Sequence, residues 1–379
     1  MRLLVCPQEF KGSLTAPEAA HAIAEGARRA SGVTDVRALP LADGGPGTAA
    51  IVAEATGGEL VAAEVCGPVG DRIEARYALL PDAGGGSPTA LIESAVAAGL
   101  VLVPPDLRDP GHATSYGVGE LIRDAVDRGA RSIVVGVGGT ATNEGGAGAA
   151  QALGYRLLDR DRNPLPEPAG GIHLLNVFAI DSSGVDRRLA DVDLRVAVDV
   201  TNELLGEQGA TAVYGPQKGV AGELGEMLED ALGRWARTVR HDLGVELTDL
   251  PGGGAGGGLA AGLIGVVGGG IESGAALVAE AVGLDEAIAA TDLVVTGEGS
   301  LDAQTTFGKT VAHVIERCAA LGRPCVAVAG AASGHPEGVA DLEVLAGEGV
   351  TEAEAMERAA ELAADAAERL LRRVVAGAG

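Results

Sequence analysis

Residues 2–18 read Arg2-Leu3-Leu4-Val5-Cys6-Pro7-Gln8-Glu9-Phe10-Lys11-Gly12-Ser13-Leu14-Thr15-Ala16-Pro17-Glu18. The first five form a short apolar run suited to a buried strand. Thr15, with Glu18 three residues on, makes a capping box that starts a helix toward Ala30. The unit is strand, loop, helix, and it recurs. Residues 36–41 precede Asp43-Gly44-Gly45, residues 132–137 precede Gly138-Gly139, residues 293–296 precede Gly297-Glu298-Gly299, and residues 326–329 precede Gly330. Strands alternating with helices imply a parallel sheet, and the loops at the carboxyl ends of its strands gather along one edge where ligands bind. The fold class is therefore α/β, with a Rossmann- or flavodoxin-like parallel sheet. Residues 59–80 break the pattern with two strand-like runs around Gly67-Pro68-Val69-Gly70-Asp71, a hairpin that marks entry to a second α/β domain inserted into the first. The expected division gives residues 1–60 and 285–379, with about 112–150, to the Rossmann-like domain, and about 61–111 with 151–284 to the inserted one. A closing helix, capped by Thr351 and Glu354, is expected to run to about Val375.

Composition narrows the function. A hydrophobic share of 47% in 379 residues fills real cores, while aromatics at 2% leave few platforms for stacking single-stranded nucleic acid. The net charge of -25 argues against nucleic acid or an anionic membrane as partner. It would equally repel an anionic substrate, so a site for one must supply its own positive potential from a few cations and backbone N–H groups. Cys6, Cys66, Cys318 and Cys325 show no paired metal spacing and read as buried free thiols of a reducing cytoplasm. Residues 250–271 carry no charge, but eleven of the 22 are Gly, so they read as a glycine loop leading into packed structure rather than a membrane span.

Of 28 basic residues only Lys11, Lys218 and Lys309 are lysine. A chain that accepts arginine almost everywhere should keep lysine where a compact ammonium is needed and a planar guanidinium will not fit. All three lie beside glycine: Lys11 before Gly12, Lys218 within Gly215-Pro216-Gln217-Lys218-Gly219, and Lys309 after Gly308. Glycine lets backbone amides approach phosphate oxygens while lysine supplies the charge, which is most of what phosphoryl transfer requires. Residues 138–146, Gly138-Gly139-Thr140-Ala141-Thr142-Asn143-Glu144-Gly145-Gly146, follow a strand and open a helix, and are expected to form an anion nest there. A Walker loop fails because Ala303 stands where its first glycine is required, and no histidine pairing or Ser elbow is present. Asp43, Asp199 with Asn202, and Glu298 with Asp302 and Gln304 place carboxylates and amides in the same class of loop. There they could hold Mg²⁺ or take a proton from an attacking hydroxyl, and the acids could equally serve as turn formers.

Taken together, these loops resemble those of the bacterial glycerate kinases across nearly the whole chain. The resemblance rests on Phe10-Lys11-Gly12-Ser13-Leu14, Ala42-Asp43-Gly44-Gly45 with Gly47-Thr48, residues 138–148, Asp199-Val200-Thr201-Asn202 with Leu204-Leu205-Gly206, residues 215–219, and Gly297-Glu298-Gly299 with Asp302, Gln304, Thr305, Gly308 and Lys309. It implies two α/β domains with the active site in the cleft between them, ATP and Mg²⁺ as cosubstrates, and D-glycerate converted to 2-phosphoglycerate. On that basis Lys11, Asp43, Asp199 and Lys218 are expected to be catalytic. Gly138, Gly139, Thr140, Thr142, Asn143, Asn202, Gln304 and Lys309 are expected to bind nucleotide, and Glu298 and Asp302 the metal. The expected setting is cytoplasmic, as a monomer or homodimer. Gln8-Glu9 stand where the family has Asp-Ser, and Pro46 where it has Glu. A kinase for another small hydroxy acid, or a non-catalytic sensor of glycerate or nucleotide, are the alternative readings.

Overall fold

The computed structural model describes residues 1–82, 84–302, 309–345 and 352–377. Strands β1 (Arg2–Val5) and β2 (Asp35–Ala38) are followed by β3 (Glu59–Cys66), β4 (Arg72–Leu80), β5 (Thr89–Glu93), β6 (Ser132–Gly136), β7 (Arg156–Leu158), β8 (Ala179–Asp181), β9 (Asp193–Ala197) and β10 (Gly270–Glu272). The chain ends with β11 (Leu293–Asp302), β12 (Cys325–Ser333) and β13 (Leu342–Val344). Two compact units result: Met1–Asp43 with Ala275–Gly379, and Gly44–Gly274.

The first unit holds a parallel sheet in the order β13-β12-β11-β1-β2. Numbered within the unit this is the doubly wound order 2-1-3-4-5, and it reverses between β1 and β11, where ligands of such sheets bind. Leu3, Val5, Leu293, Val295, Val326 and Val328 fill its core. Helix Ala16–Arg29 begins with the expected box: Glu18 N–H donates to Thr15 Oγ1, and Thr15 N–H to Glu18 Oε2 at 2.8 Å. Against it packs helix Ala359–Gly377, so closely that a Cβ on Gly26 would lie 1.9 Å from the carbonyl oxygen of Ala364. The expected closing helix is in fact two, Glu352–Glu357 and Ala359–Gly377, and Thr351 lies outside the described residues.

The second unit is built on the order β10-β9-β6-β5-β4-β3. Its first four strands are parallel, and β3 and β4 form the antiparallel hairpin closed at residues 67–71. Its core gathers around Tyr77, Ile133, Val135, Val196 and Trp235. Here the expected division needs correction. β6 pairs with β5 and β9, and the helix Thr48–Thr56 packs on β3 and β4, so residues 112–150 and 44–60 belong to the second unit. Strand-helix alternation says that a strand is parallel, not which sheet it joins.

The glycine-rich stretch becomes a turn at residues 251–258 followed by helix Leu259–Val267. Among the described residues no helix is long and apolar enough to cross a membrane. All four cysteines are free and buried.

Candidate active site

In the second unit Gly138, Gly139, Thr140 and Thr142 gather around Lys218. It is the last residue of helix Ala210–Lys218, where Gly219 at φ +102° turns the chain and the helix's carbonyl end favours a cation. The side chain is only 2% exposed. Its Nζ donates to the Thr142 carbonyl oxygen at 2.6 Å and, more weakly, toward Thr140 Oγ1 at 3.5 Å. Burial pushes its pKa down to about 7, against the opposing field of Glu144. The ammonium lines a cavity of about 150 Å³ shared with Gly138, Gly139, Thr140, Tyr214 and Gly256. Gly138 faces open space, with nothing within 4 Å of where a Cβ would stand. A lone ammonium beside bare glycine backbone is a site that attracts an anion in a chain that otherwise repels it.

The rest of the expected nest is closed. Residues 141–150 are buried, and the short helix Ala147–Ala152 has its leading donors occupied. Ala147 N–H donates to the Glu144 carbonyl oxygen at 3.2 Å, Gly148 N–H to Glu144 Oε2 at 2.8 Å, and Ala149 N–H to Ser115 Oγ at 3.0 Å. The anion expected at this helix start is supplied by the chain itself. Thr142 Oγ1 donates to the Gly256 carbonyl oxygen at 3.1 Å, and Asn143 Nδ2 to Thr211 Oγ1 at 3.0 Å. These two side chains brace the site, while Gly138, Gly139 and Thr140 line it.

Asn202 plays a similar part. Its Oδ1 accepts from Tyr214 OH at 2.6 Å and its Nδ2 donates to the Gln208 carbonyl oxygen at 2.8 Å, which fixes a ring of the cavity wall. Asp199, two residues past β9, is half-buried, and its Oδ1 accepts from Gly274 N–H at 3.3 Å and Ser273 Oγ at 3.4 Å.

In the first unit, Phe10 and Leu14 exchange backbone hydrogen bonds of 2.8 and 3.0 Å across a tight turn that Gly12, at φ +83°, makes possible. Phe10 is buried and Lys11 stands exposed at the tip. Where a loop is expected after Thr296, β11 instead continues in ladder with β12 as far as Asp302–Ser333. Glu298 is thus a half-buried strand residue opposite Ala329, not a loop residue. Gly299 leaves room for the backbone of Phe10 and Lys11, which a Cβ would meet at 3.0 to 3.4 Å. Asp43 accepts from Gln8 Nε2 at 3.2 Å. The side chains of Asp302 and Lys309, and all of Gln304, lie outside the described residues, as do Thr305 and Gly308. Among the described residues no three His, Cys, Asp or Glu side chains gather as a metal site.

The model of the glycerate kinase family matches residues 3–375. The chain belongs to that family. It is 43% identical over 328 residues to a glycerate kinase of Halalkalibacterium halodurans, covering 86% of this chain and 85% of that one. To the glycerate 2-kinase of Escherichia coli K12 it is 41% identical over 330 residues, covering 87% and 85%. A crystal structure of a protein assigned as glycerate kinase 2 from Salmonella typhimurium LT2 superposes with a TM-score of 0.90 at 42% identity, over 100% of this chain and 99% of that one. The protein is therefore an enzyme of the kinase class, with ATP as phosphoryl donor.

For this glycerate kinase family member, reading the sequence missed two buried carboxylates. Glu144 lies within residues 138–146, where the glycine pattern points to the backbone and gives no signal for the side chain. Glu93, at the end of β5, is 6% exposed; its oxygens accept from Gly47 N–H at 3.0 Å and Ala49 N–H at 2.7 Å, capping helix Thr48–Thr56. Burial pushes its carboxyl up, against those two hydrogen bonds. A lone acid closing an otherwise apolar strand was the available signal. Lys11, by contrast, is exposed, so Lys11→Met should leave the melting temperature within a degree or two, and the phosphate role its sequence context suggests would show as a fall of about 10²-fold in kcat/KM for ATP. Calorimetry and steady-state kinetics on the same preparation check it.

Proposed function

We propose that the protein transfers the γ-phosphoryl group of ATP to the C2 hydroxyl of D-glycerate, giving 2-phosphoglycerate and ADP. The hydroxyl oxygen forms the new bond to phosphorus as the bond to the β,γ-bridging oxygen breaks, and the hydroxyl proton passes to a carboxylate. The observation that carries this reading is the buried Lys218 ammonium beside the open backbone of Gly138 and Gly139. Lys218, with Lys11 and Lys309, neutralises phosphate and substrate carboxylate, so positioning and electrostatics supply most of the rate. Asp199 or Asp43 orients the hydroxyl and takes its proton. Glu298 and Asp302 offer the hard oxygen donors that suit Mg²⁺, which, when bound, neutralises charge on the phosphate oxygens. Glu298, half-buried at the carboxyl-end side of β11, fits that use. The family resemblance supports a cytoplasmic setting. An ADP-release assay over a panel of small hydroxy acids tests the substrate: glycerate should give the highest kcat/KM, and a better acid would displace this reading.

The charge state of Lys218 sets a pH dependence. Only the ammonium neutralises phosphate, and its pKa lies at about 7, below the ordinary lysine value. So kcat/KM for ATP should fall as pH rises through about 7. The limb in kcat should lie higher, because bound phosphate favours the cation. Rate profiles from about pH 6 to 9 test this; the two limbs coinciding would contradict it.

A further inference from the structure

We infer that Glu144 is the positioning residue that keeps Lys218 charged and in place at the open glycine loop, acting through the lysine rather than on substrate. The inference rests on the reading of Lys218 as a phosphate-binding residue.

The geometry is a closed unit. Thr142, Asn143 and Glu144 are all wholly buried. Thr142 takes the Lys218 Nζ on its carbonyl oxygen, and Asn143 holds Thr211 on the helix that ends in Lys218. Glu144 holds Gly148 N–H with Oε2, while its Oε1 is buried with no hydrogen-bond partner among the described residues. A wholly buried carboxylate is costly alone even with the Ser115 hydroxyl and backbone N–H groups beside it, as is a buried ammonium, and each offsets the other's field.

The other groups around Lys218 do not supply that charge. Thr140, Thr142, Tyr214 and Gln217 are neutral. Arg108, whose Nη1 donates to the Gln217 carbonyl oxygen, is a cation, and Asp109 beside it is exposed and engaged with His112. Glu144 is the carboxylate whose charge acts on Lys218. Burial pushes the Glu144 carboxyl up, and the Ser115 hydroxyl, with the backbone N–H groups of Gly148, Ala147 and Ser115, holds it down.

Glu144→Gln keeps the shape and removes the charge. The expected result is that the high-pH limb of kcat/KM for ATP moves about one pH unit lower, so activity above the limb falls about tenfold. Because the chain has three lysines, ¹⁵N-lysine labelling gives three side-chain signals, and the Lys218 titration should move the same way. Glu144→Asp, which retracts the charge by one methylene, should move both part-way, and it tests the idea if the Gln variant does not fold. A limb and titration unmoved in either folded variant, even with a lower melting temperature, would show that Glu144 only packs. If Lys218→Met is itself fully active, the phosphate reading has failed instead.

Discussion

Lys218→Met should lower kcat/KM about 10²- to 10³-fold or more and leave a folded protein at least as stable as the wild type near neutral pH. The loss in rate follows from removing a preorganised cation from a water-poor site, where its field on developing charge is worth far more than in solvent. The retained stability follows from the same burial. An ammonium 2% exposed costs desolvation that an unbranched thioether does not, and Met occupies similar length and shape. Removing the ammonium's field moves the Glu144 carboxyl, already pushed up by burial, further toward its neutral form, which limits the cost of leaving it without that partner. The pH sign is definite. Lys218 has a folded-state pKa depressed from the unfolded value of about 10.5 to about 7, so between those limits the unfolded chain binds one more proton. Wild-type stability gains up to about 1.4 kcal/mol per pH unit from this group across that window, and the Met variant lacks the gain. Urea denaturation at pH 7 and pH 9 should show the variant's advantage shrinking as pH rises. An advantage that grows with pH would contradict the placement of the lysine.

Gly257→Ala should cost about 3 kcal/mol or more. Gly257 sits at φ +72° between Gly256 and Gly258, which also have positive φ. A side chain there carries about 1–2 kcal/mol of backbone strain. Its Cβ would also stand 2.0 Å from the Thr142 carbonyl oxygen and 2.8 Å from Asn143 Cα, both backbone atoms that cannot swing aside. Overpacking of that kind adds about 1–3 kcal/mol. The atom displaced is the acceptor for Lys218, so activity should fall together with stability. Gly129→Ala serves as the control: φ is +93°, but nothing lies within 4 Å of the new Cβ, so only the strain remains. Equal urea midpoints for the two variants would show that the close approach is not real.

These two sites also show how far the sequence could be read. The capping box at Thr15 was legible because it is a local pattern with a local physical cause. So was the parallel sheet, from strand-loop-helix recurrence. What was not legible depended on partners distant in sequence. β6 reads like any buried strand until its neighbours β5 and β9 are known. Gly297-Glu298-Gly299 reads as a loop, yet β11 runs through it, because a Cβ on Gly297 would meet the Val328 carbonyl oxygen at 2.0 Å and glycine lets the strands close. Residues 138–146 read as an anion nest, but the helix start there is filled by Glu144, and no spacing rule says whether an acid beside a glycine loop points out to solvent or inward to cap the chain. The glycines at 256–258 were visible as a cluster. Their purpose, letting one backbone lie against the carbonyl that holds Lys218, is a tertiary fact.

Phosphorus NMR of the protein with ATP, Mg²⁺ and D-glycerate tests the central claim most directly. A new phosphomonoester signal, split as a doublet by the single C2 proton, should grow with ADP and be absent over the same time with the Lys218→Met variant. A signal of equal growth in that variant, or binding of ATP with no phosphorylated glycerate, would contradict it.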